Sequence, residues 1–156
     1  FYLDMMKMGL ATKGSMVIVP QAEYAEDFTQ KSTVDEFFFV HELGHVWQNQ
    51  NNVIFSRLHA AKDMFNYFVM GGDGSSHYEY KLEEGKDLMD YGLEQQPTIL
   101  AAFNQLIRHG ERPLMAGLDF NDDFDKEELE AQYRSVLKNF LDSPDYARNR
   151  AFQPWR

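Results

Sequence analysis

Cysteine is absent from this chain of 156 residues. Its absence excludes disulfide bonds and thiolate metal ligands, so a metal site here would have to use histidine and carboxylate side chains. The composition fits a cytosolic protein. It fits equally well a protein exported into an oxidising space.

Positive charge is scarce: 15 Lys and Arg residues stand against 25 Asp and Glu residues, which gives a net charge of −10. Binding to a phosphate backbone needs a clustered positive surface, so we expect no nucleic-acid partner. The densest acidic run, Asp119–Glu130, reads as a solvated surface. Its spacing resembles a calcium loop, but Phe124 occupies the position that requires glycine for the sharp turn.

Long apolar runs are missing as well. The densest one, Phe37–Trp47, is interrupted by His41, Glu42 and His45, and it falls far short of the roughly 18 apolar residues that a membrane span requires. The amino end carries no signal-peptide pattern and does not begin with Met. We therefore expect no membrane span, and a single domain over residues 1–156 that is a fragment of a longer chain.

Apolar residues make up 44% of the chain and aromatic residues 15%, which is enough for a sizeable core. Apolar periodicity and capping signals predict an α+β fold that is predominantly helical, with a small sheet. Thr33 and Glu36 form the pattern of a capping box, and Pro97 predicts a kink or break in its helix. The predicted elements are a strand at Met16–Val19 and helices at Val34–Gln50, Phe55–Phe68, Tyr91–His109 and from Asp125 to about Leu141.

The sequence "HELGH" places His41 and His45 four residues apart on a predicted helix, with Glu42 between them. Residues four apart share one helix face, so both imidazoles can point at one metal ion. Glu42 lies about 100° further round the helix, within reach of a water at the same ion. The pattern predicts a zinc site in which Glu42 is the general base. The alternative is a buried core helix whose two histidines are partnered by other side chains.

A catalytic zinc usually has three protein ligands. Glu94 is the leading candidate for the third ligand, because a carboxylate on a neighbouring helix commonly completes two helical histidines. Tyr91 is a weaker candidate for stabilising an oxyanion, with Tyr78 and Tyr80 also considered. The reserve ligands are His59, His77, Glu83, Glu84 and His109.

The motifs "MVIVP", "FFFVHELGHVWQ" and "YGLEQQ" together resemble the small zinc metallopeptidase-like domains of the zincin (gluzincin) class that accompany Rhs elements and VgrG spikes of bacterial type VI secretion. The resemblance covers about three-fifths of the chain. It implies zinc ligation by His41, His45 and Glu94, with Glu42 as the base. It also implies a bacterial effector or toxin delivered by a secretion system. Pro97 departs from the pattern, where a helix-forming residue is expected.

We therefore expect a zinc-dependent hydrolase that cleaves peptide bonds in a protein or peptide substrate, with a secretion spike or an immunity protein as a possible partner. Two alternatives stay open. One is a non-catalytic binding or cargo module of a secretion apparatus with a structural or vestigial metal site. The other is an amidase or endopeptidase that cleaves peptidoglycan with the same zinc chemistry.

Overall fold

The structure, a computed structural model, describes residues 10–53, 78–113 and 125–151. A hairpin of two short strands comes first, followed by α-helices joined by turns and by short 3-10 helices at Phe28–Gln30 and Leu88–Asp90. We label the elements β1 (Ala11–Lys13), β2 (Met16–Ile18), α1 (Thr33–Gln50), α2 (Gln95–His109), α3 (Lys126–Val136), α4 (Lys138–Asp142) and α5 (Tyr146–Ala151). In the described ranges, no helix is long and apolar enough to cross a membrane.

This architecture confirms the predicted α+β class with helices predominating. The predicted helix at Phe55–Phe68 and the first half of the acidic run, residues 119–124, lie outside the described residues. That residues 1–156 form one domain stays a prediction.

The strands β1 and β2 form an antiparallel hairpin in which Thr12 pairs with Val17. Gly14 begins the tight turn with a φ of 63°, a conformation that glycine adopts without steric cost. Alternate residues face solvent, while Thr12 and Val17 are half-buried. The predicted strand is confirmed, and its partner β1 places the Thr12 side chain against α1.

Helix α1 begins one residue before its predicted start. The cap is Ser32 rather than Thr33, because the Ser32 hydroxyl accepts a hydrogen bond of 3.1 Å from the Asp35 amide. The predicted capping box is therefore wrong. The Glu36 side chain is buried and is directed at α2 instead of back at the helix start.

Helices α1 and α2 pack closely where Gly44 meets Pro97. A Cβ atom added at Gly44 would lie 2.6 Å from the Pro97 Cβ and 2.7 Å from its Cα, so only glycine permits this approach. The predicted helix at Tyr91–His109 in fact begins at Gln95, which makes Pro97 its third residue. A helix's first amides have no intrahelical acceptor, so Pro97 loses no bond there. The predicted kink or break is wrong.

The main core lies between α1, α2 and α3. Tyr133 of α3 is fully buried against Phe103 of α2, and its hydroxyl meets that of Tyr80. Trp47 of α1 donates a 2.6 Å hydrogen bond to the Pro144 carbonyl, which ties α1 to the turn before α5. The predicted last helix is interrupted at Leu137, and α5 was not predicted. This frame holds one face of α1 against the start of α2.

Candidate metal centre

The Nε2 atoms of His41 and His45 converge on a single carboxylate. Glu94 Oε2 lies 3.4 Å from His41 Nε2 and 3.3 Å from His45 Nε2. The helical spacing brings the two rings together, with centroids 4.8 Å apart. Glu94 immediately precedes α2, and its side chain makes no capping hydrogen bond, so the carboxylate is directed at the histidines.

The two other ring nitrogens also have partners. His45 Nδ1 lies 2.9 Å from Gln48 Oε1, and His41 Nδ1 lies 3.3 Å from the Thr98 hydroxyl. The Nδ1 contacts leave both Nε2 atoms for Glu94. His41 is buried, whereas the side chains of His45 and Glu94 are 18% and 26% exposed, so the cluster can be reached from one side.

The electrostatics favour a positive charge at the cluster. Burial by itself would lower the pKa of His45, but the adjacent Glu94 carboxylate outweighs it and raises that pKa. Burial would likewise raise the pKa of Glu94, yet the two imidazoles hold it far below its usual range. Both shifts favour a cation between rings and carboxylate, whether a proton or a metal ion.

The spacing of these atoms fits zinc. Zinc binds histidine nitrogen and carboxylate oxygen at about 2.0–2.2 Å, so neighbouring ligands of a tetrahedral ion are about 3.3–3.5 Å apart. The two distances of 3.4 Å and 3.3 Å from Glu94 Oε2 match that separation. Two imidazoles and one carboxylate are a common donor set for catalytic zinc. The assignment of His41, His45 and Glu94 as ligands stays a prediction that this geometry supports.

Glu42 lies beside the cluster in a different environment. An oxygen of its carboxylate lies within 4.8 Å of a ring nitrogen of each histidine. The Thr12 hydroxyl lies 2.7 Å from Glu42 Oε2 and 3.0 Å from the Glu42 carbonyl oxygen, so its single proton is shared between these two acceptors, with the carboxylate oxygen the nearer. Glu94 is the closer carboxylate to the two rings. This placement is compatible with the predicted role of Glu42 as the general base, which stays a prediction.

Tyr91 contacts Glu83 and Lys86, although the sequence predicted that it stabilises an oxyanion. Its hydroxyl accepts a 3.0 Å hydrogen bond from the Glu83 amide, and its ring lies under the Lys86 ammonium group. The ring nearer the histidines is that of Tyr78, with its centroid 5.9 Å from that of His41. The oxyanion role of Tyr91 stays a prediction.

Of the reserve ligands, two have other partners, one is exposed and two fall outside the described residues. His109 pairs with Glu36 at 2.7 Å, and Glu83 pairs with Lys86 at 2.6 Å. Glu84 is exposed. The two that the structure does not describe are His59 and His77.

Four polar residues around the site were not predicted from the sequence: Thr12, Gln48, Gln96 and Thr98. Two of them carry a local signal, because Gln48 follows His45 by three residues and Thr98 follows Glu94 by four. Such spacings put them on the same helix face as the residue that they follow. Thr12 carries no such signal, since its contact depends on where the hairpin packs.

Comparison with known proteins relates this chain to a secretion spike. The chain is 29% identical over 131 residues, 84% of its length, to the type VI secretion system spike protein VgrG2b of Pseudomonas aeruginosa. The aligned part is 11% of that protein, so the chain spans about a tenth of its relative's length. No family model and no solved structure matches the chain.

Proposed function

We propose that this chain is a zinc-dependent peptidase domain of the zincin type. One observation carries the proposal: Glu94 Oε2 lies 3.4 Å from His41 Nε2 and 3.3 Å from His45 Nε2, which is the separation between two ligands of a tetrahedral zinc ion. The partial exposure of His45 and Glu94 leaves a path for water and substrate. A closed structural site would not need that exposure.

Zinc, when bound, supplies the Lewis acid that polarises a scissile carbonyl and lowers the pKa of an attacking water. Glu42 takes the proton from that water and passes it to the leaving amine. Thr12 holds Oε2 of Glu42 at 2.7 Å, which orients the base. The protein's own contribution is thus a fixed base and a fixed ligand pair on one helix.

The β-hairpin offers a place for an extended substrate. Met16 and Ile18 of β2 are 63% and 50% exposed, and β1 and β2 pack beside the helix that carries Glu42. A peptide could add to β2 through main-chain hydrogen bonds and so lie next to the candidate metal centre. This supports a protein or peptide substrate.

The similarity to VgrG2b supports delivery of this domain by a type VI secretion system. In that setting a spike component and an immunity protein are the expected partners. The site argues for an effector that acts on its target by hydrolysis, rather than for a passive cargo module.

The decisive experiment measures metal content and hydrolysis together. We expect the purified protein to bind one zinc ion by elemental analysis and to cleave unstructured protein or peptide substrates. Glu42→Gln should retain zinc and fold while losing about 10²–10⁴-fold in rate, because only the proton transfer is removed. Glu127→Gln, an exposed glutamate of α3, is the matched control.

A wild-type protein without zinc would refute the proposal. Zinc binding without hydrolysis of any peptide or of purified cell wall would support the non-catalytic module instead. Cleavage confined to cell wall would support the peptidoglycan amidase.

A further inference from the structure

The segment that carries Glu94 also offers three backbone carbonyls to polar side chains around the histidines. Gln96 donates to the Tyr91 carbonyl at 2.9 Å, and Gln48 donates to the Leu93 carbonyl at 2.7 Å. The Thr98 hydroxyl donates to the Glu94 carbonyl at 2.7 Å. Since a carbonyl oxygen can only accept, each contact fixes the direction of one side chain.

Two buried glutamines link the backbone to His45 through hydrogen bonds whose donor and acceptor atoms are fixed in turn. The Tyr91 carbonyl orients the Gln96 amide, whose Oε1 accepts from Gln48 Nε2 at 2.9 Å. The Leu93 carbonyl independently orients Gln48 in the same sense. Gln48 Oε1 therefore faces His45 Nδ1 at 2.9 Å and can only accept. The proton of a neutral His45 ring must lie on Nδ1.

The tautomer of His41 is set by one hydroxyl, that of Thr98. Thr98 has a single hydroxyl proton, and the 2.7 Å bond to the Glu94 carbonyl uses it. The 3.3 Å contact between Thr98 Oγ1 and His41 Nδ1 then requires that the ring be the donor. A neutral His41 ring also carries its proton on Nδ1.

We propose that Gln48 and Thr98 are positioning residues that hold His45 and His41 in the Nδ1–H tautomer before any metal arrives. Both Nε2 lone pairs are then presented to the place where Glu94 Oε2 lies 3.3 and 3.4 Å away. Neutral rings in this tautomer have no proton to offer the carboxylate. The segment that carries Glu94 thereby also sets the tautomers of His45 and His41, since its carbonyls orient Gln48 and Thr98.

This inference rests on the proposed zinc site for its purpose, but its first readout does not require zinc. Nitrogen-15 NMR of the metal-free protein, at a pH high enough for both rings to be neutral, distinguishes Nδ1–H from Nε2–H. We expect both His41 and His45 to be protonated at Nδ1. Free neutral histidine prefers Nε2–H, so this result would show that the hydrogen bonds from the rings to Gln48 and Thr98 set the tautomer. Nε2–H rings in the wild-type protein would overturn the inference.

Two substitutions each remove the Nδ1 partner of one histidine and so test the two positioning residues separately. Thr98→Val, which keeps the shape, should release the tautomer of His41 alone, and Gln48→Met should release that of His45 alone. Each should weaken zinc binding about 10–100-fold, as loss of such a supporting hydrogen bond does elsewhere. Thr98→Ser retains the hydroxyl and should restore both readouts.

A buried glutamine of α2, the helix that carries Thr98, provides the control. Gln105 lies seven residues beyond Thr98 and is also buried, about 10 Å further along α2. Gln105→Met should leave both tautomers and the zinc affinity unchanged. Variants that bind zinc like the wild type would overturn the positioning roles. If the wild type has Nδ1–H rings but binds no zinc, only the proposed function fails.

Discussion

The carboxylates of Glu36 and Glu94 lie near opposite ends of α2, where it packs against α1. The groups that surround them differ. Glu36 is enclosed by donors: Asn104 at 3.0 Å, Arg108 at 3.0 Å and His109 at 2.7 Å. Glu94 faces two imidazole nitrogens whose other sides are already hydrogen-bonded. The Glu36 cluster is complete within the protein. The Glu94 cluster favours a cation, a proton or a metal ion, between its rings and its carboxylate.

Glu36 is a carboxylate whose partners all lie within the protein, whereas Glu94 is a metal ligand under the proposed function. Removing the charge of a buried carboxylate that is surrounded by donors leaves those donors unpaired, which destabilises the fold. Acceptors that face one another across 3.3 Å gain nothing until a proton or metal lies between them. Removing each carboxylate should therefore affect different properties of the protein.

The largest expected effect is on zinc binding by Glu94→Gln. The amide keeps the size of the side chain but removes the charge that faces both rings, so we expect affinity to fall more than the roughly 10–100-fold that loss of an outer hydrogen bond costs. Competition with a chelating dye measures this. At a pH where both rings are neutral, the free energy of unfolding of the metal-free protein should change little, because the mutual pKa shifts of His45 and Glu94 stabilise the fold only while a proton lies between them. Unchanged zinc affinity would mean that Glu94 is not a ligand.

Glu36→Gln should show the converse. Its amide would place N–H donors against those of Arg108 or His109, and we expect a loss of about 2 kcal/mol in the free energy of unfolding, because Arg108 is partly exposed and screened. Denaturant unfolding of the metal-free protein measures the loss. Zinc affinity of the folded variant should match that of the wild type. A variant that loses zinc but not stability would contradict the contrast between the two clusters.

Local sequence patterns predicted the parts of the site that lie on one helix. The spacing of His41 and His45 fixes their shared face, and the structure brings both to Glu94, 49 residues beyond His45. The helices of the described ranges were also predicted from apolar periodicity and caps, although α5 was missed.

Non-local packing accounts for what the sequence could not show. Pro97 predicted a kink because its helix was expected to begin at Tyr91; the start at Gln95 and the contact with Gly44 depend on how α1 and α2 meet. Glu36 fitted a capping pattern, but Asn104, Arg108 and His109 lie nearby only in the folded chain. The capping prediction failed because Ser32 is the cap, and the Glu36 carboxylate contacts these donors instead of the helix start.

Gly44→Ala should affect both clusters, because this residue sets the distance between the two helices. The added methyl would overlap Pro97 at 2.6 Å, and we expect a loss of about 1–3 kcal/mol in stability, typical of overpacking. Moving α2 away from α1 would also separate Glu94 from the rings, so zinc affinity should fall about tenfold.

Leu43→Ala is the control for this substitution, since Leu43 lies beside Gly44 on α1 but is 42% exposed. It should change stability and zinc affinity much less. Equal effects of the two substitutions would show that close helix packing is not what holds the site.

The smallest expected effect is a pH dependence that belongs to the Glu36 cluster. Burial opposes ionisation of Glu36, but Asn104, His109 and Arg108 outweigh it and hold the pKa below the ordinary value of 4.5. Above 4.5 the carboxylate is charged in both folded and unfolded chains, so its stabilisation is fully present. As the pH falls below that value, the unfolded chain takes up the proton first, and the stabilisation is lost towards the lower pKa of the folded state.

The stability difference between wild type and Glu36→Gln should therefore shrink on acidification, by less than about 1 kcal/mol because the cluster is partly exposed to solvent. Urea unfolding of the metal-free proteins at about pH 6 and about pH 3.5 measures it. Glu94 is present in both proteins, so its own titration cancels in the difference. A difference that did not change with pH would mean that the Glu36 donors stabilise the neutral and charged carboxyl equally, and the contrast with Glu94 would then rest on metal binding alone.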